Sequence, residues 1–267
     1  MQYGYCLGTD FVKGNTEGEV LFNAIVKAGF DYVELRLSEI SALSTDEIAK
    51  LKKVLQAIPC KAGYVFFPSG LTLVGPEMDM PGINSYLDRM LPLAAELGAE
   101  VLVFGNGKAR SIPEGSTYEA TWQDLRKIVE AMDAKAKKIG LPILVEALNT
   151  NESNIITSYG EAVALTEGLT YVSSMVDSYH VEKDGQTYND VHKHPEAMRH
   201  LHTAYTPGRL APSPEDDMSL YANFVEMVKK LGYNGKISVE GGLRTTEPEA
   251  VDAEVKACLA TLKLLFG

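Results

Sequence analysis

The feature that most constrains this chain is a rhythm. Short apolar or β-branched runs recur at intervals of roughly 25–45 residues, each followed by a longer segment whose apolar residues fall three and four apart. Eight runs read as strands: YGYCL at 3–7, DYVEL at 31–35, KAGYVFF at 61–67, EVLVFG at 100–105, PILVEAL at 142–148, YVSSMVD at 171–177, MRHLHTA at 198–204 and KISVE at 236–240. Between them EGEVLFNAIVKAG reads as a helix stopped by Gly29, and STDEIAKLKKVLQAI opens with Ser44 and Glu47 at capping-box spacing. In AELGAEVLVFG, AKKIGLPILVE and VKKLGYNGKISVE a helix stops at Gly98, Gly140 or Gly232 and a buried-looking strand begins. Such joints suit a parallel sheet covered by helices. Eight strands in this alternation favour a closed (β/α)8 barrel over a doubly wound open sheet, although periodicity alone leaves the open form available. The 267 residues suit one barrel domain over 1–267. No dinucleotide GxGxxG follows the first strand, and GNGKAR at 105–110 is too short a match to count.

Charge and cysteine usage narrow the class of partner. With 25 Lys+Arg against 36 Asp+Glu the formal charge is -11, which repels polyanions and argues against nucleic acid. Cys6, Cys60 and Cys258 are odd in number, far apart and without CxxC spacing, as expected of a reducing, cytoplasmic setting. The N-terminus lacks the basic and apolar regions of a signal peptide, and no apolar run approaches the roughly 18–20 residues that cross a bilayer. The expected partner is a small molecule, with homo-oligomerisation left open.

Four predicted strands finish on a residue able to bind a hard or borderline metal: Glu146, Asp177, His202 and Glu240. In a parallel barrel the strand C-termini converge on one face, so groups distant in sequence become neighbours near the axis. Singly, each has a structural explanation, as a solvated carboxylate or a helix cap. Yet ILVEAL and ISVEGG place a glutamate directly after three apolar strand residues, where a buried charge is costly unless a partner neutralises it. Three carboxylates and an imidazole match Mn2+, Co2+ or Mg2+ better than a thiolate site, with Zn2+ a further candidate. The longer connections at 66–83 and 181–197 are expected on the same face, shaping a pocket.

At these residues the chain resembles a known family. ILVEALNTNE, SSMVDSYH, LHTAYTPGR and SVEGG, with LGTDF and DYVELRLSEI before them, are similar in order and spacing to the sugar phosphate isomerase/epimerase superfamily, the xylose-isomerase-like barrels that include ketose 3-epimerases. The resemblance implies a metal held by Glu146, Asp177, His202 and Glu240, with the two glutamates also serving as the acid/base pair. It implies substrate contacts from Glu152, His180 and Arg209, while Glu34, which ends the second strand as in many relatives, is expected to fix substrate or orient a ligand. The run HTAYTPGR departs from the family pattern: Tyr205 takes an acidic position and Arg209 is displaced by one residue. His200 shares a strand face with His202 and is expected one layer deeper.

The chemistry so implied is proton transfer next to a carbonyl. A divalent cation on vicinal oxygens stabilises the developing enediolate, one group removes the proton and another returns it. Return to the opposite face of the same carbon epimerises; return to the adjacent carbon isomerises. Alternatives are a metal-dependent lyase or dehydratase on a sugar, cyclitol or C-glycoside-derived ketone, and a non-catalytic sugar-binding protein. The abasic-DNA endonuclease branch of the same barrel needs more histidines and a basic surface, both missing here.

Overall fold

The computed structural model describes residues Met1–Gly267. Eight parallel strands, β1 (Gln2–Leu7), β2 (Tyr32–Arg36), β3 (Cys60–Tyr64), β4 (Val101–Phe104), β5 (Ile143–Glu146), β6 (Val172–Asp177), β7 (Met198–Thr203) and β8 (Lys236–Val239), close in sequence order, with β8 pairing back onto β1. This is the (β/α)8 barrel that the rhythm predicts. The largest difference from the predicted strands lies at KAGYVFF, where β3 stops at Tyr64. Val65 has φ 45°, a left-handed conformation that strains a β-branched residue. There the chain leaves the sheet, and Phe66 and Phe67 are buried beside Tyr86 and Phe104 instead of prolonging the strand.

Local signals set the helix ends. The helix Thr16–Ala28 starts at Asn15, whose side chain accepts from the Gly18 N–H, and stops at Gly29 with φ 87°. Thr45–Val54 carries the complete Ser44/Glu47 capping box. At Gly98, φ is 100° and an added Cβ would lie 2.9 Å from the Cys60 carbonyl, so glycine is required both for the turn and for the close approach.

Alternation along the strands divides the interior into two nested cores. Val33, Leu35, Ile143, Val145, Ile237 and Val239 belong to a 60-residue cluster between sheet and helices. Cys6, Tyr32, Ala62, Tyr64, Val101, Val103, Leu144 and Met175 form a separate cluster in the lumen. Glu146 stands two residues beyond Leu144, Asp177 two beyond Met175, His202 two beyond His200 and Glu240 two beyond Ser238. The period of two therefore turns all four toward the lumen at its C-terminal mouth.

The two long connections behave differently. Residues 66–79 leave β3 on the C-terminal face, and the Asn106 side chain clamps both the N–H and the carbonyl of Phe67, at 2.9 and 2.7 Å. The 181–197 connection is not a pocket loop. It contains a helical turn, Asn189–Lys193, with Tyr188 and Val191 buried, and reaches β7 at the opposite end of the barrel. Its apolar residues seat it in the helix layer. The connections above the mouth are instead 147–158, after β5, and 204–217, after β7.

Candidate metal centre

Each of Glu146, Asp177, His202 and Glu240 offers one donor atom, and these atoms all lie within 4.8 Å of one another. Asp177 and His202 are cross-strand register partners. His202 Nδ1 lies 3.3 Å from Glu146 Oε1 and 3.1 Å from Glu240 Oε2. Glu240 falls just past β8, but its N–H still donates to the Thr203 carbonyl at 3.0 Å, which keeps it aligned with the sheet. Glu146, Asp177 and His202 are buried, and Glu240 is nearly so, with its side chain 17% exposed.

The packing makes room for this cluster. A Cβ on Gly105, the residue after β4, would fall 1.9 Å from Glu146 Oε2, so only glycine leaves space for that carboxylate. Behind Glu146, the fully buried Arg110 donates to the carbonyls of Phe104 (3.0 Å), Glu146 (2.5 Å) and Ile156 (3.3 Å). One guanidinium thus ties the end of β4 to the end of β5 and to the loop beyond it.

The residues expected to contact substrate surround the cluster on one side. Arg209, on the 204–217 connection with φ 51°, places its guanidinium 3.1 Å from Glu240 Oε2, 3.1 Å from Glu152 Oε1 and 3.7 Å from Asp177 Oδ2. It stacks over Tyr179 at 4.6 Å. His180 Nδ1 accepts from the Asn149 N–H at 3.1 Å, which puts the ring proton on Nε2, 3.5 Å from Asp177 Oδ2. Glu152 accepts from Asn149 Nδ2 at 2.9 Å. Glu34 lies elsewhere. It is fully buried one layer down in the lumen, against His200, His202 and Ser238, so it faces His202 and not the mouth.

The electrostatics describe a site with more carboxylates than cations to balance them. Burial, reinforced by the charge of Glu146, pushes Asp177 up from 3.8 to about 7. Burial raises Glu146 as well, and Glu240 adds to the shift although His202 opposes it. Burial also acts against ionised Glu240, but His202 and Arg209 outweigh it and hold that carboxyl down at about 2. Burial pushes His180 down to about 3, with the Arg209 charge acting in the same direction, so this ring is a neutral Nε2–H donor.

Glu146 Oε1, Asp177 Oδ2 and His180 Nε2 are buried without a hydrogen-bond partner. Unpaired buried carboxylate oxygens are costly. Three carboxylates and one imidazole converging at this spacing fit a divalent cation, which would neutralise the cluster and satisfy those oxygens. A second convergence, Cys6, Glu34 and His202, lies beneath the first. A surface cavity of about 530 Å³ opens at the far end of the barrel, lined by Val172, Ser173 and Arg199, and contains none of these residues.

Sequence reasoning missed Gly105, Arg110, Asn149 and Tyr179. Gly105 ends an apolar run and could have been read as a point of close approach. The other three act through backbone carbonyls, a tautomer and a ring face, none of which leaves a spacing signal.

The family model of the xylose isomerase-like TIM barrel matches residues 22–261. No curated protein matches the sequence. Among solved structures, 3-keto-D-glucoside 4-epimerase from E. coli superposes with a TM-score of 0.78 at 18% identity, covering 99% of each chain. D-psicose 3-epimerase from Clostridium cellulolyticum H10 gives 0.78 at 19% identity over 100% of both chains. D-allulose 3-epimerase from Methylomonas sp. gives 0.81 at 16%, covering 100% of this chain and 97% of the other. At these identities the likeness establishes a shared fold. No helix is long and apolar enough to cross a membrane.

Proposed function

We propose, from the premise that the chain belongs to the xylose isomerase-like TIM barrel family, that it is a divalent-metal-dependent isomerase or epimerase of a small sugar-like ketone or aldehyde. The observation that carries this reading is the convergence of Glu146, Asp177, His202 and Glu240, with orphaned carboxylate oxygens, at the mouth of the barrel. These four residues would hold the ion, with Mn2+, Co2+ and Mg2+ the first candidates. When bound, it supplies Lewis-acid stabilisation of the negative charge that develops when a proton leaves a carbon beside a carbonyl.

The proton itself is the task of the protein. Glu146 and Glu240 both approach His202 Nδ1, at 3.3 and 3.1 Å, and are the two carboxylates placed to exchange a proton with a substrate held at the cluster. With two carboxylates at the site, one can accept the proton and the other return it. Arg209 bridges Glu152 and Glu240 with a charged fork suited to a hydroxyl or carbonyl oxygen, and neutral His180 aims an N–H into the same space. Burial of the ligands restricts water around the reacting carbon.

The neighbours named above act on D-psicose, D-allulose and a 3-keto-D-glucoside by name, which selects free ketoses and keto-glycosides as the first substrates to try. The test is proton NMR in deuterated water with each candidate metal. Exchange should appear at a carbon next to the carbonyl, with a new epimer or isomer, and should vanish on chelation. Absence of exchange across the panel in metal-loaded protein would remove the isomerase reading.

A further inference from the structure

Beneath the metal centre lies a polar chain that no role above uses. Tyr32 donates its hydroxyl to Ser238 Oγ at 2.8 Å, and Ser238 donates to Glu34 Oε2 at 2.6 Å. His200 Nε2 meets the same oxygen at 2.8 Å. The other carboxylate oxygen, Glu34 Oε1, has no hydrogen-bond partner and stands 3.1 Å from His202 Nε2, which also lacks one. Glu34, His200, His202 and Ser238 are all fully buried. A carboxylate placed there in an otherwise apolar lumen is costly unless it serves a partner. Space is cleared for the chain as well, since a Cβ on Gly4 would lie 2.2 Å from the Tyr32 ring.

We propose that Glu34 is a positioning residue of the metal centre: from inside the barrel it holds His202 through Nε2, so that Nδ1 is the nitrogen presented to the ion. This rests on the metal-centre reading given above. Two hydrogen-bond donors occupy Glu34 Oε2 and aim Oε1 at the imidazole. With Nε2 facing Glu34 Oε1 at 3.1 Å below, Nδ1 is the nitrogen that faces Glu146 and Glu240, where an ion would take the place of its proton. A carboxylate behind a ligating histidine fixes its tautomer and raises its basicity, and loss of such a partner commonly weakens metal binding about 10–100-fold.

The experiment titrates Mn2+ into wild type, Glu34→Gln and Cys6→Ala, with folding checked by circular dichroism and with activity not used as the readout. Glu34→Gln should bind Mn2+ about 10–100-fold more weakly while Cys6→Ala binds as wild type does. Wild-type affinity in folded Glu34→Gln would overturn the proposal. So would binding of two ions per chain with equal weakening in Cys6→Ala, because Cys6, Glu34 and His202 would then form a metal site of their own. Failure of wild type to bind any ion would instead remove the metal centre itself. Should Glu34→Gln not fold, long-range proton–nitrogen NMR of wild type loaded with Zn2+ decides the matter. A protonated Nε2 on His202 with Nδ1 shifted by the ion is expected, and the reverse assignment refutes the role.

Discussion

Replacing Asp177 by Asn should make the metal-free protein more stable, not less. Asp177 Oδ1 caps the helix Ser178–Lys183 by accepting from the Tyr179 N–H at 2.9 Å, a contact the Asn carbonyl retains. Oδ2 has no hydrogen-bond partner and faces Glu146 and Glu240, with Arg209 at 3.7 Å as its nearest cation. The carboxyl titrates at about 7 in the fold against 3.8 ordinarily. A group whose pKa is raised by folding destabilises the fold as pH climbs from the unfolded value through the folded one, and the penalty is complete above that. At pH 8 it is about 4 kcal/mol, from roughly 1.4 kcal/mol for each tenfold in acidity. Burying the Asn amide in its place costs about 1–3 kcal/mol, which leaves a net gain of about 2 kcal/mol. That corresponds to a Tm higher by about 4–8 °C for a chain of this size. The assay is thermal unfolding of chelator-treated wild type and variant at pH 8 and pH 5.5, a range in which the depressed carboxyl of Glu240 stays ionised in both. The gap should narrow at the lower pH. Added Mn2+ should invert the order, because only wild type keeps the full ligand set. A metal-free variant less stable than wild type at pH 8, or a gap indifferent to pH, refutes the claim that this cluster is held against its own repulsion.

Glu→Gln at position 146 or 240 should lower turnover by about 10²–10⁴ in metal-loaded protein, with metal content measured on each variant, and one of the two should still exchange the substrate proton without completing the reaction. Full turnover by loaded Glu240→Gln would leave Glu240 as a ligand only. Gly105→Ala puts a methyl where Glu146 Oε2 now sits and should abolish tight Mn2+ binding in calorimetry, while distant unfolding transitions stay cooperative. Arg209→Lys keeps the charge but loses the fork between Glu152 and Glu240, so KM should rise about 10-fold or more with kcat less affected, as expected of a lost charge-assisted hydrogen bond.

What was legible in advance followed from period. The eight strands and the convergence of Glu146, Asp177, His202 and Glu240 follow from the recurrence of apolar runs and the common polarity of parallel strands, and the glycine stops from the left-handed turn that ends a helix. What escaped depended on backbone conformation and partner geometry. The left-handed Val65 truncates β3 within a run that reads as continuous strand. The polar stretch 181–197 looks like a pocket loop because its apolar residues, Tyr188 and Val191 among them, are too sparse to announce a helical crossover. Glu34 reads as one more strand-end acid, yet it sits a layer deeper. Arg209 was visible as a charge, but its position follows from a φ of 51° and a ring beneath it.

The four metal-facing residues all belong to β5–β8, and the connections that carry Glu152 and Arg209 belong to the same half. The opposing half, β1–β4, lends Gly105 and Glu34 from behind, and carries Tyr64, whose ring meets His202 edge-on beneath Arg36, and the 66–79 connection. The proposed ligands and substrate contacts thus come from one half of the chain, and the wall facing them from the other. A library confined to residues 68–79 would vary the connection after β3 without changing any of the four proposed metal ligands. Recombination at the 105–143 boundary would exchange β1–β4 in a single crossover, and on the proposed reading the incoming half must again supply a carboxylate at position 34 and a glycine at 105 for the metal ligands to keep their places.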